Sequence, residues 1–222
     1  MNRTTKLAIG ATAAYAAVFR LGATWGATAA ERSCPLPGDG LVADPTVLST
    51  HGITIDAPPE AVWPWLVQMG WGRAGWYTYR WVDQLLFPAN GPSADHIVAD
   101  LQHLAVGDHI LDGPPDQDCW FNVEQLEPAR HLVLRSRTHV PVAWRERCGW
   151  EMDWVWSWHL DEVAPGRTRL LQRNRMWLRP RWFEAVFLGV IVPADFLMAR
   201  SHLTALRRLA EALPAPATRL AA

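Results

Sequence analysis

Three tryptophans at alternate positions, Trp154, Trp156 and Trp158, are the residues whose type and spacing most invite a binding function. With Met152 and Leu160 they alternate against Asp153, Val155, Ser157, His159 and Asp161, the period-2 pattern of a strand with one apolar face. In the run that follows, Arg169, Arg173 and Arg175 hold odd positions, while Leu170, Gln172, Asn174 and Met176 hold even ones. Paired as a hairpin, the two runs place carboxylates and arginines together on a solvent face. The indoles then point inward beside Gln172 and Asn174. Cross-strand ion pairs stabilise a sheet by only about 0.2–1 kcal/mol each, so burial of the indoles decides the orientation. A buried amide left without a partner costs about 1–3 kcal/mol. A wall of indoles with two amides therefore suits a flat, largely apolar molecule carrying a few oxygens. The same pattern is equally compatible with a closed core whose amides bond to neighbouring backbone.

A second group lies between Gly70 and Tyr79, where three glycines, several aromatic rings and Arg73 crowd ten residues. Trp76, Tyr77 and Tyr79 are candidates for the entrance of a cavity, or else for a packed cap over one end of a sheet. For acid–base work the candidates are Tyr77, Tyr79, Asp83 and His159. None has a partner at diagnostic spacing, and the alternation puts His159 on the outer face, so the catalytic residues stay unassigned. Asp95-His96, with Asp100 and His103, is the densest acid–imidazole group. Its two histidines are seven residues apart and do not share a helix face as i, i+4 ligands do, so a solvated loop accounts for them. Asp116 and Asp118 read as turn carboxylates. Phosphate-loop, dinucleotide-glycine, nucleophile-elbow and His-Glu-x-x-His patterns do not occur. Cys34, Cys119 and Cys148 are widely spaced without a Cys-x-x-Cys, so neither a disulfide framework nor a zinc site is expected. No metal and no cofactor are implied.

The elements that must position these residues are readable in outline. Ile53 and Ile55 alternate with Thr54 and Asp56 as a short strand. Pro58 and Pro59 suit the first turn of a helix, and Val62, Leu66 and Met69 repeat at helical spacing, with Trp63 widening the apolar face. A further short helix spans Tyr79–Phe87. Strands are expected at His109–Leu111, Cys119–Leu126, His131–Thr138, Met152–Val163 and Thr168–Leu178, with turns at Glu127-Pro128-Ala129 and Ala164-Pro165-Gly166 that imply antiparallel neighbours. Two apolar helical stretches close the chain, separated by a break or kink at Pro193. Leu203, Leu206, Ala210 and Leu213 form the apolar side of the second, and Arg207, Arg208 and Glu211 its polar side.

The stretch Ile53–Leu86, ITIDAPPEAVWPWLVQMGWGRAGWYTYRWVDQLL, with its Gly-Trp-Tyr-x-Tyr followed by Trp81 and Asp83, resembles the opening of the SRPBCC superfamily (START-like, polyketide cyclase/dehydrase and lipid-transport proteins). The resemblance implies an α+β helix-grip fold, a curved antiparallel sheet wrapped around a long C-terminal helix with an internal cavity. It also implies a binding or carrier protein for a hydrophobic small molecule: a lipid, a quinone or a polyketide-like aromatic. Trp154, Trp156, Trp158, Gln172 and Asn174 would line the cavity, with Trp76, Tyr77 and Tyr79 at its mouth. A cyclase/dehydratase-type enzyme in the same cavity, and a membrane-tethered module with a closed core, are the alternatives.

A chain of 222 residues with a net charge of −1 points to one domain of ordinary size and gives no bulk basic field for nucleic acid. Fourteen tryptophans against three tyrosines mean a very aromatic core or an aromatic-walled cavity. The expected organisation is a terminal segment 1–30, an extended arm 31–50, the helix-grip domain 51–213 and a disordered tail 214–222. Arg3 and Lys6 precede the apolar run Leu7–Phe19, Arg20 interrupts it, and Ala27-Thr28-Ala29 has the small residues of a cleavage site. Residues 1–30 thus fit a membrane anchor, a removed signal or a packed amphipathic helix, and the protein is expected in the cytoplasm or at a membrane.

Overall fold

The computed structural model describes residues 2–86 and 88–213. Its frame is a six-stranded antiparallel sheet in the order β1-β6-β5-β4-β3-β2. The strands are β1 Val47–Ile55, β2 His109–Leu111, β3 Trp120–Glu127, β4 His131–Ser136, β5 Glu151–Ala164 and β6 Arg167–Arg179. Tight turns at Glu127–His131 and Ala164–Arg167 make β3–β4 and β5–β6 neighbours. In the long β5–β6 hairpin Trp154 lies opposite Met176, Trp156 opposite Asn174, Trp158 opposite Gln172 and Leu160 opposite Leu170. Indoles and amides therefore share the inner face, as their alternation requires.

The helix that the sheet grips is α7, Val192–Glu211, which packs against β1 and α3 (Pro59–Val67). Leu203, Leu206 and Ala210 are buried and join Phe121, Leu132, Leu134 and Trp158 in the main core. The architecture is the helix-grip, α+β. In α3 the inward tryptophan is Trp65, beside Val62 and Leu66, while Trp63 is only half-buried. Short helices α4 (Arg80–Leu86) and α5 (Val142–Cys148) flank the sheet, and α5 has no counterpart in the sequence reading.

Pro193 does not break the C-terminal run. Helix α6, Arg181–Val186, passes through a π-helical turn, Phe187–Ile191, into α7, and the backbone stays right-handed helical at each junction. The proline sits in the first turn of α7. The wider π turn gives the chain its local irregularity.

The outer face of the β5–β6 hairpin is not the solvent face that its charges imply. After α1 (Arg3–Thr24), helix α2 (Ala29–Ser33) and a 3-10 turn at Asp39–Val42 fold back over it. Arg173 is 2% exposed. It bonds Asp39 Oδ2 at 2.7 Å and donates to the carbonyls of Glu31 and Cys34 at 2.7 and 3.0 Å, with Thr50 Oγ1 at 3.2 Å. Arg169 pairs with Glu31 at 2.7 Å, and Arg175 donates to the carbonyls of Val42 and Ala43. A guanidinium carries five donors in a fixed fork, so one arginine can satisfy several carbonyls where a short helix ends. The Arg169 hydrogen bonds hold the Glu31 carboxyl down at about 2. Asp153, across the hairpin, instead pairs with Arg135 and Arg137 beside it.

Helix α1 is docked through its C-terminal half, from Tyr15 onward. The Tyr15 hydroxyl donates to the Gly189 carbonyl at 2.6 Å, His51 bonds the Gly22 carbonyl at 2.6 Å, and the Gly52 amide donates to the Trp25 carbonyl at 3.1 Å. Phe19 and Ala23 pack against a cluster with Val47, Met176 and Val192. These contacts cover β1, an edge strand otherwise open to pairing. Gly26 is required there: it has φ +71°, and a Cβ would meet the Gly52 carbonyl oxygen at 2.0 Å.

Arg173→Met should lower the free energy of unfolding by about 3–5 kcal/mol, because Asp39 and the α2 carbonyls lose their donor together. Urea denaturation measures it, and limited proteolysis should cut between residues 27 and 46 in the variant first. Wild-type stability in Arg173→Met would contradict the clamp.

Candidate functional site

Between the inner face of the sheet and the start of α7 lies a cavity of about 240 Å3. The sheet contributes Val47 and Ser49 from β1, Trp154 and Trp156 from β5, and Gln172, Asn174 and Met176 from β6. Trp76, Thr78 and Asn90 come from loops, and Asp112 and His139 follow β2 and β4. The C-terminal helices close it with Phe187, Ile191, Val192, Asp195, Met198, Ala199 and His202. Three stacked indoles form one side of the wall. Trp76 stacks on Trp156 with centroids 5.3 Å apart, and Trp154 stacks on Trp156 at 5.7 Å.

Of the residues singled out from sequence, Trp76, Trp154, Trp156, Gln172 and Asn174 line this cavity, and Trp158, Tyr77 and Tyr79 are outside its lining. Trp158 is fully buried one layer deeper. Its indole N–H can only donate, so His202 Nε2, 3.1 Å away, accepts. His202 Nδ1 must then carry the proton and donates it to the Trp76 carbonyl at 2.7 Å. Burial pushes this imidazole down to about 4, which keeps it neutral. His202 thus fixes sheet, helix and aromatic loop to one another and has no free nitrogen for chemistry.

Tyr77 is buried at φ +58°, and its hydroxyl accepts from the Gln68 amide at 2.6 Å. Burial pushes that hydroxyl up to about 12, so it gives no proton near neutrality. Tyr79 is 38% exposed and stacks on Trp81. His159 is on the outer face but buried, bonded to Ser157 Oγ at 2.9 Å, and its burial pushes it down to about 3. Asp95, His96, Asp100 and His103 are exposed. The side chain of Asp83 and residues 214–222 lie outside the described residues.

The polar atoms of the wall are unevenly satisfied. Asn174 accepts from the Trp154 indole at 2.9 Å and donates to Ser49 Oγ at 3.2 Å. Gln172 Oε1, Trp76 Nε1 and Trp156 Nε1 are buried without a hydrogen-bond partner. Such orphan groups are costly unless something occupies the space beside them.

Besides His202, three titratable residues of the cavity were not read from the sequence. Asp195 is brought inward with Met198, Ala199 and His202 by the i, i+3, i+4, i+7 spacing of one α7 face, which was the available signal. Desolvation alone raises its carboxyl to about 7. Asp112 bonds His139 Nε2 at 2.8 Å, and Ser136 Oγ lies 2.6 Å from the other ring nitrogen. These two residues are 27 positions apart, and only strand pairing joins them. Cys119 completes a set with Asp112 and His139 whose donor atoms lie within 4.8 Å of one another. Sulfur, nitrogen and oxygen donors of this kind are those a zinc ion accepts. Burial and the nearby carboxylates push the Cys119 thiol up to about 12, so in the bare protein it is protonated. Chemically the cavity offers indole faces and one carboxyl, that of Asp195, raised into the neutral range.

No protein-family model matches the chain, and neither does any curated protein. Among solved structures, the hypothetical protein jhp0584 from Helicobacter pylori is similar at 10% identity and TM-score 0.47, over 82% of this chain and 98% of that one. Protein MLL2253 from Mesorhizobium loti is similar at 17% identity and TM-score 0.41, over 73% and 96%. Zhui aromatase/cyclase from a Streptomyces species is similar at 14% identity and TM-score 0.38, over 74% and 93%.

Asp195 has a raised pKa in the folded state, so the native protein binds a proton that the unfolded chain releases above about pH 4. Its contribution to stability is therefore lost as pH rises from about 4 to about 7. Buried His51, pushed down to about 4, and His202 act in the opposite sense, losing stability as pH falls below their usual 6.5. The Asp195→Asn variant isolates the carboxyl. Relative to wild type it should gain on the order of 2–4 kcal/mol between pH 4 and 8, measured by urea denaturation at each pH. A pH-independent difference would mean an ordinary carboxyl.

Proposed function

We propose that the protein binds a flat, largely apolar small molecule, such as a lipid, quinone or polyketide-like aromatic, in the cavity between β5, β6 and α7. The observation that carries this reading is the combination of open volume, a stacked indole wall and orphaned polar atoms on that wall. Trp65 Nε1 is unpartnered in the main core as well, but Gln172, Trp76 and Trp156 carry their orphaned atoms on residues that line open volume, where a bound group can meet them. A ligand with one or two polar atoms removes the penalty on binding.

Two tryptophans two residues apart separate the binding wall from the core. In a titration with the neutral lipophilic fluorophore N-phenyl-1-naphthylamine, Trp156→Ala should weaken binding about tenfold, the loss of roughly one aromatic contact. Trp158→Ala should instead cost about 3–5 kcal/mol of stability. Loss of folding and binding in equal measure at Trp156 would mean that the indoles only fill a core. Native mass spectrometry of the purified chain, followed by solvent extraction, identifies any ligand carried through purification.

A lipid surface is the second partner of this reading. Thr5–Thr24 is long and apolar enough to cross a membrane by length and composition. Leu7 and Ile9 are more than half exposed, and Trp182 and Val186 on neighbouring α6 are exposed as well. From Tyr15 onward α1 is docked, so the projecting part spans about 18 Å at 1.5 Å per residue, short of a hydrocarbon core of about 30 Å. This geometry favours insertion into one leaflet. The full chain should float with phosphatidylcholine liposomes, and a chain lacking residues 2–12 should not; equal flotation of both would refute the role of α1.

A further inference from the structure

The sign of the charge in the cavity narrows the ligand, an inference that rests on the binding reading above. The chain has 21 basic residues, yet among the described residues no lysine or arginine lines the cavity. Its carboxyl groups are those of Asp112 and Asp195. Asp112 is bonded to His139, and that pair is neutral or negative whichever way the imidazole is protonated. His202 has both ring nitrogens occupied. The Asp195 carboxyl is perturbed by desolvation alone, with no hydrogen bond or charge contributing. Gln172, 1% exposed, lines the same space with an Oε1 that accepts from nothing. Two acceptors thus wait for a donor among indole rings.

An ammonium group meets the two acceptors and the negative charge at once, while the orphaned indole N–H groups of Trp76 and Trp156 remain for an acceptor elsewhere on the ligand. It supplies N–H donors to both oxygens and the charge that an apolar environment denies a lone carboxylate. The faces of stacked indoles attract a desolvated cation. We propose that the cavity selects an apolar, ring-bearing molecule with a protonated amine, held by Asp195 as counter-ion, by Gln172 Oε1 as second acceptor and by the Trp76–Trp156 wall.

The binding should then depend on pH. The titratable groups around the cavity are His202 on α7, His51 on β1, and Asp112 and His139 beyond β2 and β4. Charged residues of the other elements against α7, Arg20 on α1, Glu60 on α3 and Arg181 and Glu184 on α6, do not line it. An alkylamine stays protonated through pH 8, as a lysine does. Affinity should therefore rise between pH 6 and 8 as Asp195 ionises.

The test is calorimetric titration of the full chain with 2-(1-naphthyl)ethylamine and with the neutral 2-(1-naphthyl)ethanol. At pH 8 the amine should bind at least about tenfold more tightly, the equivalent of one modest ion pair. That preference should shrink at pH 5.5, and Asp195→Asn, folded by thermal melt, should bind the two probes alike. Equal binding of both probes by wild type, or a preference that survives in Asp195→Asn, would overturn the amine assignment while leaving a binding cavity. Binding of neither probe would overturn the cavity reading and the assignment with it.

Discussion

His202 is the point on which the arrangement of the cavity depends. One neutral imidazole accepts from the Trp158 indole of β5 and donates to the Trp76 carbonyl of the aromatic loop, while its own backbone belongs to α7. Each hydrogen bond is of ordinary strength, but both are buried, and a buried group cannot exchange its partner for water. Sheet, helix and loop are therefore fixed at one distance from each other. The helix cannot sink further onto the indoles, and the space between Trp156 and Asp195 stays open.

A second set of polar contacts acts from the opposite face. Arg169, Arg173 and Arg175 fasten residues 26–43 over the outer side of the same hairpin whose inner side carries the indoles. The hairpin is thus covered on both sides in its middle, unlike an antiparallel sheet with one wet face. Buried Arg173 is tolerated because its guanidinium nitrogens meet a carboxylate, carbonyls and the Thr50 hydroxyl. The cavity side lacks this completeness. Gln172 Oε1 and the indole nitrogens of Trp76 and Trp156 stand without a partner, and the Asp195 carboxyl is desolvated with no charge or hydrogen bond to offset it, so the inner face of the hairpin is less completely satisfied than the arginine network outside it.

How far the residues themselves foretold this varies by element. The inner face of the β5–β6 hairpin was legible because strict alternation puts its large side chains on one side, and a one-residue slip would expose all of them. Helix α7 was legible from its apolar stripe. The π turn was not, since periodicity around Pro193 reads as a break whether or not the helix continues. The outer face was misread for a physical reason: alternation tells which residues share a face, and does not tell whether another segment of chain covers it. Three arginines on such a face are as compatible with water as with Glu31, Asp39 and a row of carbonyls.

What the sequence by itself determined is the secondary structure of the hairpin, the amphipathic closing helix and the aromatic character of what lies between them, all consequences of local periodicity. Only the tertiary structure decided which aromatic residues are wall and which are core. Trp156 and Trp158 occupy the same face two residues apart, and their difference comes from where α7 crosses the sheet. It also decided the chemistry of the site, because Asp112, His139 and Asp195 are brought together by strand pairing and helix docking. A carboxyl becomes a group that titrates near neutrality through the surroundings that long-range packing provides. No spacing along the chain encodes that.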